Sequence, residues 1–306
     1  MTLATIATLG GPILRALARS PALLPHTRKV LDRLGVTVLR HHYYAPAIIP
    51  SDIGKQLSAR RNLPGLDFRV AQQLDLIAEF SYREELLEIP LEKSGEIEFG
   101  YNNGAYEHGD AELLYNIIRH FRPRRIVEIG CGQSTILMQK AISKNKGDDA
   151  SYTCRHICIE PFEQPWLEQL SVELIRAKVE DCKMELFSEL KANDILFIDS
   201  SHVIRPQGDV LFEYLEILPR MRSGVIVHIH DIFTPRDYPE DWIVRDRRMW
   251  NEQYLLEAFL SFNQAFEVLL AANMLANDHI EKLAVACPAL SQEPERQPGA
   301  FWIRRI

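Results

Sequence analysis

A turn with two glycines follows the first predicted β-strand, and a carboxylate lies at or just after the end of each of the next three. The turn is Gly130-Cys131-Gly132, and the carboxylates belong to Glu160, Asp181 and Asp199. Glycines let the backbone approach a ligand closely, and the helix after such a turn presents free N–H groups. An acidic side chain after the second strand of a nucleotide-binding sheet bonds ribose hydroxyls. This acidic rim favours a ligand with a ribose and a positive charge over a ligand with phosphates.

Side chains that could accept a proton follow the fourth and fifth predicted strands. His230 and Asp231 are expected at the end of the fifth strand, facing the ligand, and His202 in the loop after the fourth. A general base must lie within hydrogen-bond reach of the proton it removes, so these three residues are the candidate catalytic groups. His228 lies deeper in the strand, which favours a hydrogen-bonded core histidine. Strand alternation places Asp231 opposite His230 unless the strand has already turned.

These residues must be positioned by the elements that precede them. From residue 110 onward, short apolar runs alternate with helical segments, among them a helix over 111–121 with Asp110 as its N-cap. Strands that are apolar throughout are typical of a parallel sheet covered on both faces. The sequence therefore predicts an α/β fold, a doubly wound, mostly parallel seven-stranded sheet with helices on both faces. The predicted strands are 125–129, 156–160, 172–177, 194–199, 224–231, 266–271 and 301–305.

The first 104 residues have a less regular pattern, broken by prolines. We predict that residues 1–104 form an irregular helical extension that caps a substrate pocket or a subunit contact, and that residues 105–306 form the ligand-binding domain. Residues 1–24 are apolar but interrupted by Arg15 and Arg19. They predict an amphipathic helix packed on the body or on a partner subunit, with peripheral membrane contact as the alternative.

Composition excludes several classes of protein. The chain has 306 residues with 35 basic and 42 acidic side chains, a formal net charge of −7, and no long basic block. Binding to a nucleic-acid backbone requires clustered positive charge, so no nucleic-acid partner is expected. No stretch reaches the ~20 uninterrupted apolar residues of a membrane span, so no transmembrane segment is expected. Five cysteines are too few and odd in number for a disulfide framework, which favours a reducing compartment and a cytoplasmic location.

The motifs together resemble a known family. Val127 through Gly132, Glu160, and Asp194 through Asp199 are similar to the ordered motifs of class I S-adenosylmethionine-dependent methyltransferases. Three further segments resemble a bacterial group of uncharacterised class I methyltransferases that act on small molecules. These segments are Asp110-Ala111-Glu112, Phe197-Ile198-Asp199-Ser200-Ser201-His202 and His228-Ile229-His230-Asp231-Ile232-Phe233.

The resemblance implies a Rossmann-like fold and S-adenosyl-L-methionine as the cofactor. Gly130 and Gly132 would pass beneath its amino-acid end, Glu160 would take its ribose hydroxyls, and Asp199 would face the methionine ammonium or the substrate. Either Glu180 or Asp181 would lie beside the adenine. The other residues implied to contact the cofactor are Glu128, Ser134, Thr135, Asn102 and Tyr106.

The resulting prediction is a methyltransferase that acts on a small-molecule acceptor, most simply on a hydroxyl. Some O-methyltransferases of this class bind a divalent metal such as Mg²⁺, for which Asp199 and Asp231 are the candidate ligands here. A nicotinamide-dependent oxidoreductase is an alternative, although Thr135 stands where a dinucleotide fingerprint has its third glycine. A non-catalytic protein that retains the cofactor fold is another. The apolar N-terminus is compatible with a homodimer.

Overall fold

The computed structural model describes residues 2–19, 25–39, 41–44, 46–162 and 164–306. Residues 20–24, the end of the predicted amphipathic stretch, lie outside the described residues. Within the described residues the α-helices are α1 Leu3–Arg19, α2 Pro25–Arg33, α3 Val70–Glu79, α4 Arg83–Leu87, α5 Asp110–Phe121, α6 Gln133–Asp148, α7 Glu185–Ser188, α8 Asp209–Phe212, α9 Glu252–Leu260, α10 Ala272–Asp278 and α11 Ile280–Ala286. The strands are β1 Arg125–Ile129, β2 Arg155–Ile159, β3 Glu173–Ile175, β4 Ile195–Ile198, β5 Ile226–Ile229, β6 Phe266–Ala271 and β7 Phe301–Arg305.

The seven strands form one sheet in the order β3-β2-β1-β4-β5-β7-β6. The first five strands in the chain are parallel, and β7 pairs antiparallel with both β5 and β6. Every residue of β4 and of β5 is buried, so both faces of the sheet centre are covered. This burial explains why the strands are apolar throughout, and it confirms the predicted fold class.

The strand order reverses between β1 and β4. From β1 the chain moves outward to β2 and β3, and then returns to place β4 on the other side of β1. The connections after β1 and β4 therefore diverge and leave a crevice at the carboxyl ends of these two strands. The N–H of Asp199 donates to the carbonyl of Ile129 across this crevice at 2.9 Å.

The described chain divides into two compact units. One comprises residues 1–57 with Pro239–Met249, and the other comprises Ser58–Tyr238 with Trp250–Ile306. We call them the N-terminal unit and the sheet unit. The predicted domain boundary is 104/105, whereas the sheet unit begins at Ser58, so residues 58–104 belong to the same unit as the sheet. For example, the buried Gln73 of α3 accepts the N–H of Ala271 at 2.8 Å.

The start of α5 differs from the prediction. Gly109, not Asp110, is the N-cap, and the side chain of Glu112 accepts the N–H of Gly109 at 3.0 Å. Asp110 is the first helical residue, and its side chain is free to bond residues outside the helix.

Among the residues that the structure describes, none of the helices combines the length and the apolar character that crossing a lipid bilayer requires.

Candidate functional site

The turn after β1 brings the backbone of Gly130 against the end of β4. Gly130 has φ +76°, and a Cβ added there would lie 1.8 Å from the carbonyl oxygen of Asp199. Only glycine tolerates this left-handed conformation without strain and has no Cβ to make the clash. Glycine at this position therefore allows β1 and β4 to meet closely at the floor of the crevice.

A buried network supports the turn from below. The hydroxyl of Ser134 donates to Glu128 Oε1 at 2.7 Å, and His156 Nε2 lies 2.9 Å from Glu128 Oε2. Thr135 Oγ1 accepts the N–H of Gly132 at 3.1 Å. Glu128 and Thr135 expose none of their surface, and Ser134 is also buried. These three predicted cofactor residues are buried and hold the shape of the turn.

A cleft of about 370 Å³ opens at the carboxyl ends of β1, β2 and β4. Its wall includes Gly130, Glu160, Glu180 and Asp199. The carboxylate of Glu160 is held in place because it accepts the N–H of Phe162 at 2.9 Å and the N–H of Cys131 at 3.3 Å. The cleft is therefore acidic and has one carboxylate fixed by the backbone at the end of β2.

A cluster of two histidines and two aspartates adjoins this cleft. Asp199 Oδ1 lies 3.3 Å from His202 Nε2 and 3.3 Å from His230 Nδ1. Asp231 Oδ2 lies 3.5 Å from His202 Nε2 and 3.7 Å from His230 Nδ1. We call these four residues the His–Asp cluster. Asp199 belongs both to the cluster and to the wall of the cleft, so a ligand in the cleft would reach the cluster through Asp199.

Two comparisons with known proteins bear on this arrangement. Residues 127–232 match a family model described as a methyltransferase domain. This range includes the glycine turn, Glu160, and the whole His–Asp cluster. These residues are therefore similar to a methyltransferase domain. The chain is also similar to an uncharacterized protein of Archaeoglobus fulgidus, with 26% identity over 167 residues that cover 50% of this chain and 74% of that protein.

Backbone conformation positions two members of the cluster, His202 and Asp231. His202 has φ +59° and Asp231 has φ +56°, which is unusual for residues other than glycine. β5 ends at Ile229, so the chain has already turned at Asp231. This turn explains how Asp231 reaches the same side as His230 despite the alternation of the strand.

Two carboxylates from outside the cluster hold its histidines. Glu252 Oε2 of α9 lies 2.9 Å from His202 Nδ1, and Glu252 is fully buried. Asp110 Oδ2 lies 3.3 Å from His230 Nε2. Asp110 also accepts the N–H of Gly299 at 3.0 Å and the N–H of Ala300 at 2.6 Å, directly before β7. Sequence reasoning missed both roles, because no local motif links these residues to histidines 50 and 120 positions away.

These surroundings shift the pKa of each group in the cluster. Burial opposes protonation of His202, but its bonds to Asp199 and Glu252 outweigh burial and raise its pKa to about 10. Burial is likewise outweighed at His230, whose pKa is raised well above its ordinary value by the charges of Asp231 and Asp199. Burial raises the pKa of Asp231. For Asp199, burial is outweighed by His230 and His202, which hold its pKa well below the ordinary range.

His228 has the interior position that the sequence predicts. It is fully buried, and its ring stacks on Phe197 with a centroid distance of 4.1 Å. Burial lowers its pKa well below the ordinary value, so the ring is neutral. The Oη of Tyr106 lies 3.5 Å from His228 Nε2, and the ring of Tyr106 lies 4.8 Å from that of His230. Tyr106 thus packs against the cluster.

Two other predicted cofactor residues lie away from the cleft. Asp181 is exposed and lines a neighbouring depression, while Glu180 borders both that depression and the cleft. Of these two residues, only Glu180 borders the cleft. The side chain of Asn102 bonds Glu92 at 2.8 Å and Arg296 at 3.1 Å, and it does not line the cleft.

Proposed function

We propose that this protein transfers a methyl group from S-adenosyl-L-methionine to a hydroxyl of a small-molecule acceptor. The observation that carries this proposal is the shared position of Asp199. It lines the acidic cleft beside the glycine turn, and it also contacts both histidines of the His–Asp cluster. A cofactor in the cleft and an acceptor at the cluster would meet at this residue.

The residues of the cleft fit the parts of this cofactor. The fixed carboxylate of Glu160 suits a ribose diol, and Glu180 stands where the adenine end would lie. Gly130 and Gly132 leave room for the amino-acid end, and Asp199 offers negative charge to a sulfonium or an ammonium. The volume of about 370 Å³ falls within the usual range for small-molecule sites. When bound, the cofactor supplies a methyl group on a positively charged sulfur, ready for attack by an in-line nucleophile.

The cluster would handle the proton of the acceptor hydroxyl. The sequence predicts His230, Asp231 and His202 as the candidate bases, and the structure brings all three together. Because the raised pKa values keep both histidines protonated near neutral pH, we assign the proton-accepting role to the carboxylate of Asp231. The two imidazolium rings would stabilise the negative charge that develops on the acceptor oxygen.

The same cluster could instead bind a divalent metal, in which case its histidines would be neutral ligands. One ligand atom each from Asp199, His230 and Asp231 lie within 4.8 Å of one another, which fits a shared cation. The negative charge of Asp199 and Asp231, which raises the pKa values of the histidines, would also favour binding of a cation. A histidine nitrogen in the set favours a transition metal over Mg²⁺. When bound, a metal would orient the acceptor hydroxyl and lower its pKa.

Calorimetric titration of the purified, cofactor-stripped protein with S-adenosylhomocysteine tests the cofactor assignment. We expect binding by the wild type and by Glu173→Gln, whose exposed carboxylate pairs with Arg155 on the outer strands. Glu160→Gln should bind about tenfold or more weakly, because it loses a charged partner of the ribose. The same titration with NADH tests the oxidoreductase alternative. Absence of S-adenosylhomocysteine binding by the wild type and both variants, or tight binding of NADH, would overturn the proposal.

Transfer of a radiolabelled methyl group to a panel of hydroxylated compounds tests the reaction itself. We expect labelled product with the wild type and none with Asp231→Asn. Assays after treatment with EDTA, and again after addition of Mn²⁺ or Mg²⁺, distinguish a cluster with protonated histidines from a cluster that binds a metal. Activity that survives EDTA supports protonated histidines, and activity restored by Mn²⁺ supports a metal.

A further inference from the structure

Charge is distributed unevenly along this chain. Residues 1–44 contain six basic residues and one acidic residue, a net charge of +5, whereas residues 45–306 contain 29 basic and 41 acidic residues, a net charge of −12. The basic residues are Arg15, Arg19, Arg28, Lys29, Arg33 and Arg40. A positive segment on an otherwise negative protein favours a negatively charged partner for that segment.

The first helix of this segment has apolar side chains in contact with solvent. α1 contains 17 residues, none of them acidic. On it, Ile13 exposes 65% and Leu14 exposes 48% of its surface, and the neighbouring Arg15 is also exposed. Exposure of adjacent large apolar residues is costly in water unless another apolar phase covers them.

The exposed apolar residues continue beyond α1. Val30 and Leu34, in and just after α2, expose 53% and 68%, and the adjacent Tyr43 and Tyr44 expose 92% and 87%. Of the eighteen large apolar side chains that are exposed in the described part of the chain, nine lie between residues 13 and 48. Tyrosine is favoured at a boundary between apolar and aqueous phases, because its ring is apolar and its hydroxyl is polar.

We propose that residues 2–44 bind the surface of a membrane that contains anionic phospholipids. Apolar side chains such as Ile13 and Leu14 would enter the boundary of the acyl chains, and the basic side chains would bind lipid phosphates. A second copy of the chain is a poorer occupant, because a symmetric contact between two such segments would place positive charge against positive charge. This inference does not depend on the proposed reaction.

Sedimentation of the full-length protein with lipid vesicles tests this proposal. The vesicles contain either phosphatidylcholine alone or phosphatidylcholine mixed with phosphatidylglycerol. We expect the wild type to bind the mixed vesicles and to dissociate as the salt concentration rises, since salt screens exposed charges. The double variant Ile13→Asp, Leu14→Asp should bind about tenfold or more weakly, because it places charge in the apolar boundary.

The matched control is Phe262→Asp, which changes a large apolar side chain of the sheet unit that is 85% exposed. It should bind vesicles as the wild type does. Equal binding to neutral and anionic vesicles, equal binding by all three proteins, or no binding at all would overturn the proposal. A dimer of the wild type that the double variant loses in gel filtration, without vesicle binding, would assign the segment to a second copy instead. Circular dichroism and urea unfolding serve as the check that each variant folds.

Discussion

The glycine turn offers a sharp test, because its two glycines have different surroundings. At Gly130 an alanine would adopt φ +76°, and its Cβ would lie 1.8 Å from the carbonyl oxygen of Asp199. At Gly132 the backbone is extended, with φ −171°, and an added Cβ meets no atom within 4 Å. Gly132→Ala is therefore a control for Gly130→Ala within the same motif.

The expected loss of stability for Gly130→Ala has two parts. A left-handed conformation costs an alanine roughly 1–2 kcal/mol. Relief of the contact with Asp199 requires the backbone of β1 or β4 to shift, and shifts of this kind cost roughly 1–3 kcal/mol. We therefore expect Gly130→Ala to lower the free energy of unfolding by roughly 2–5 kcal/mol, and Gly132→Ala to change it by less than about 1 kcal/mol.

Urea unfolding followed by circular dichroism measures both changes. The proposed cofactor position makes a further distinction, since Gly132 would lie below the amino-acid end of the ligand. Gly132→Ala should weaken binding of S-adenosylhomocysteine while its stability stays near that of the wild type. Equal stability of Gly130→Ala and the wild type would refute the account of how β1 and β4 meet.

Three other substitutions test separate parts of the structure. Glu252→Gln should lower the free energy of unfolding by roughly 1–3 kcal/mol in urea, because the buried pair with His202 loses its charge. Gly299→Ala should lower the free energy of unfolding by roughly 1–3 kcal/mol and reduce methyl transfer, since its Cβ would lie 2.9 Å from Asp231 Cα. Unchanged stability and activity would contradict the close packing of Gly299 against Asp231. The third concerns His156, whose pKa is raised to about 10 because Cys158 and Glu128 outweigh burial. Its contribution to stability is complete below pH ~6.5 and is lost as the pH rises through about 10. The difference in unfolding free energy between wild type and His156→Gln should therefore shrink over that range, and a constant difference would argue against a protonated His156.

Much of the sheet could be predicted because its strands are buried on both faces. Such strands are apolar at every position, so their location needs no knowledge of distant residues. The predicted strands 125–129, 266–271 and 301–305 coincide with β1, β6 and β7. The ends of β4 and β5 were predicted too far along the chain, because Asp199 and Asp231 already belong to the turns that follow.

The composition of the His–Asp cluster was also accessible from the sequence. Parallel strands end at the same edge of a sheet, so Asp199, His202, His230 and Asp231, at or after the ends of predicted strands, were expected at one edge. The protonation of the histidines could not be predicted in full, because Glu252 and Asp110 add to the effects of Asp199 and Asp231. Glu252 and Asp110 approach from helices whose positions relative to the sheet no local pattern specifies.

The sequence by itself determined the α/β architecture, the glycine turn and the residues that gather at the strand ends, because each follows from local periodicity and from the geometry of parallel strands. Only the tertiary structure decided which carboxylates face the cleft and which are buried in hydrogen bonds inside the protein. Glu128 lies near the end of β1 and Glu160 lies directly after the neighbouring β2. Glu128 bonds Ser134 and His156 in the interior, whereas Glu160 borders the cleft. That difference arises from side-chain packing between elements distant in the chain, and a buried polar group takes whichever partners the fold brings within hydrogen-bond distance.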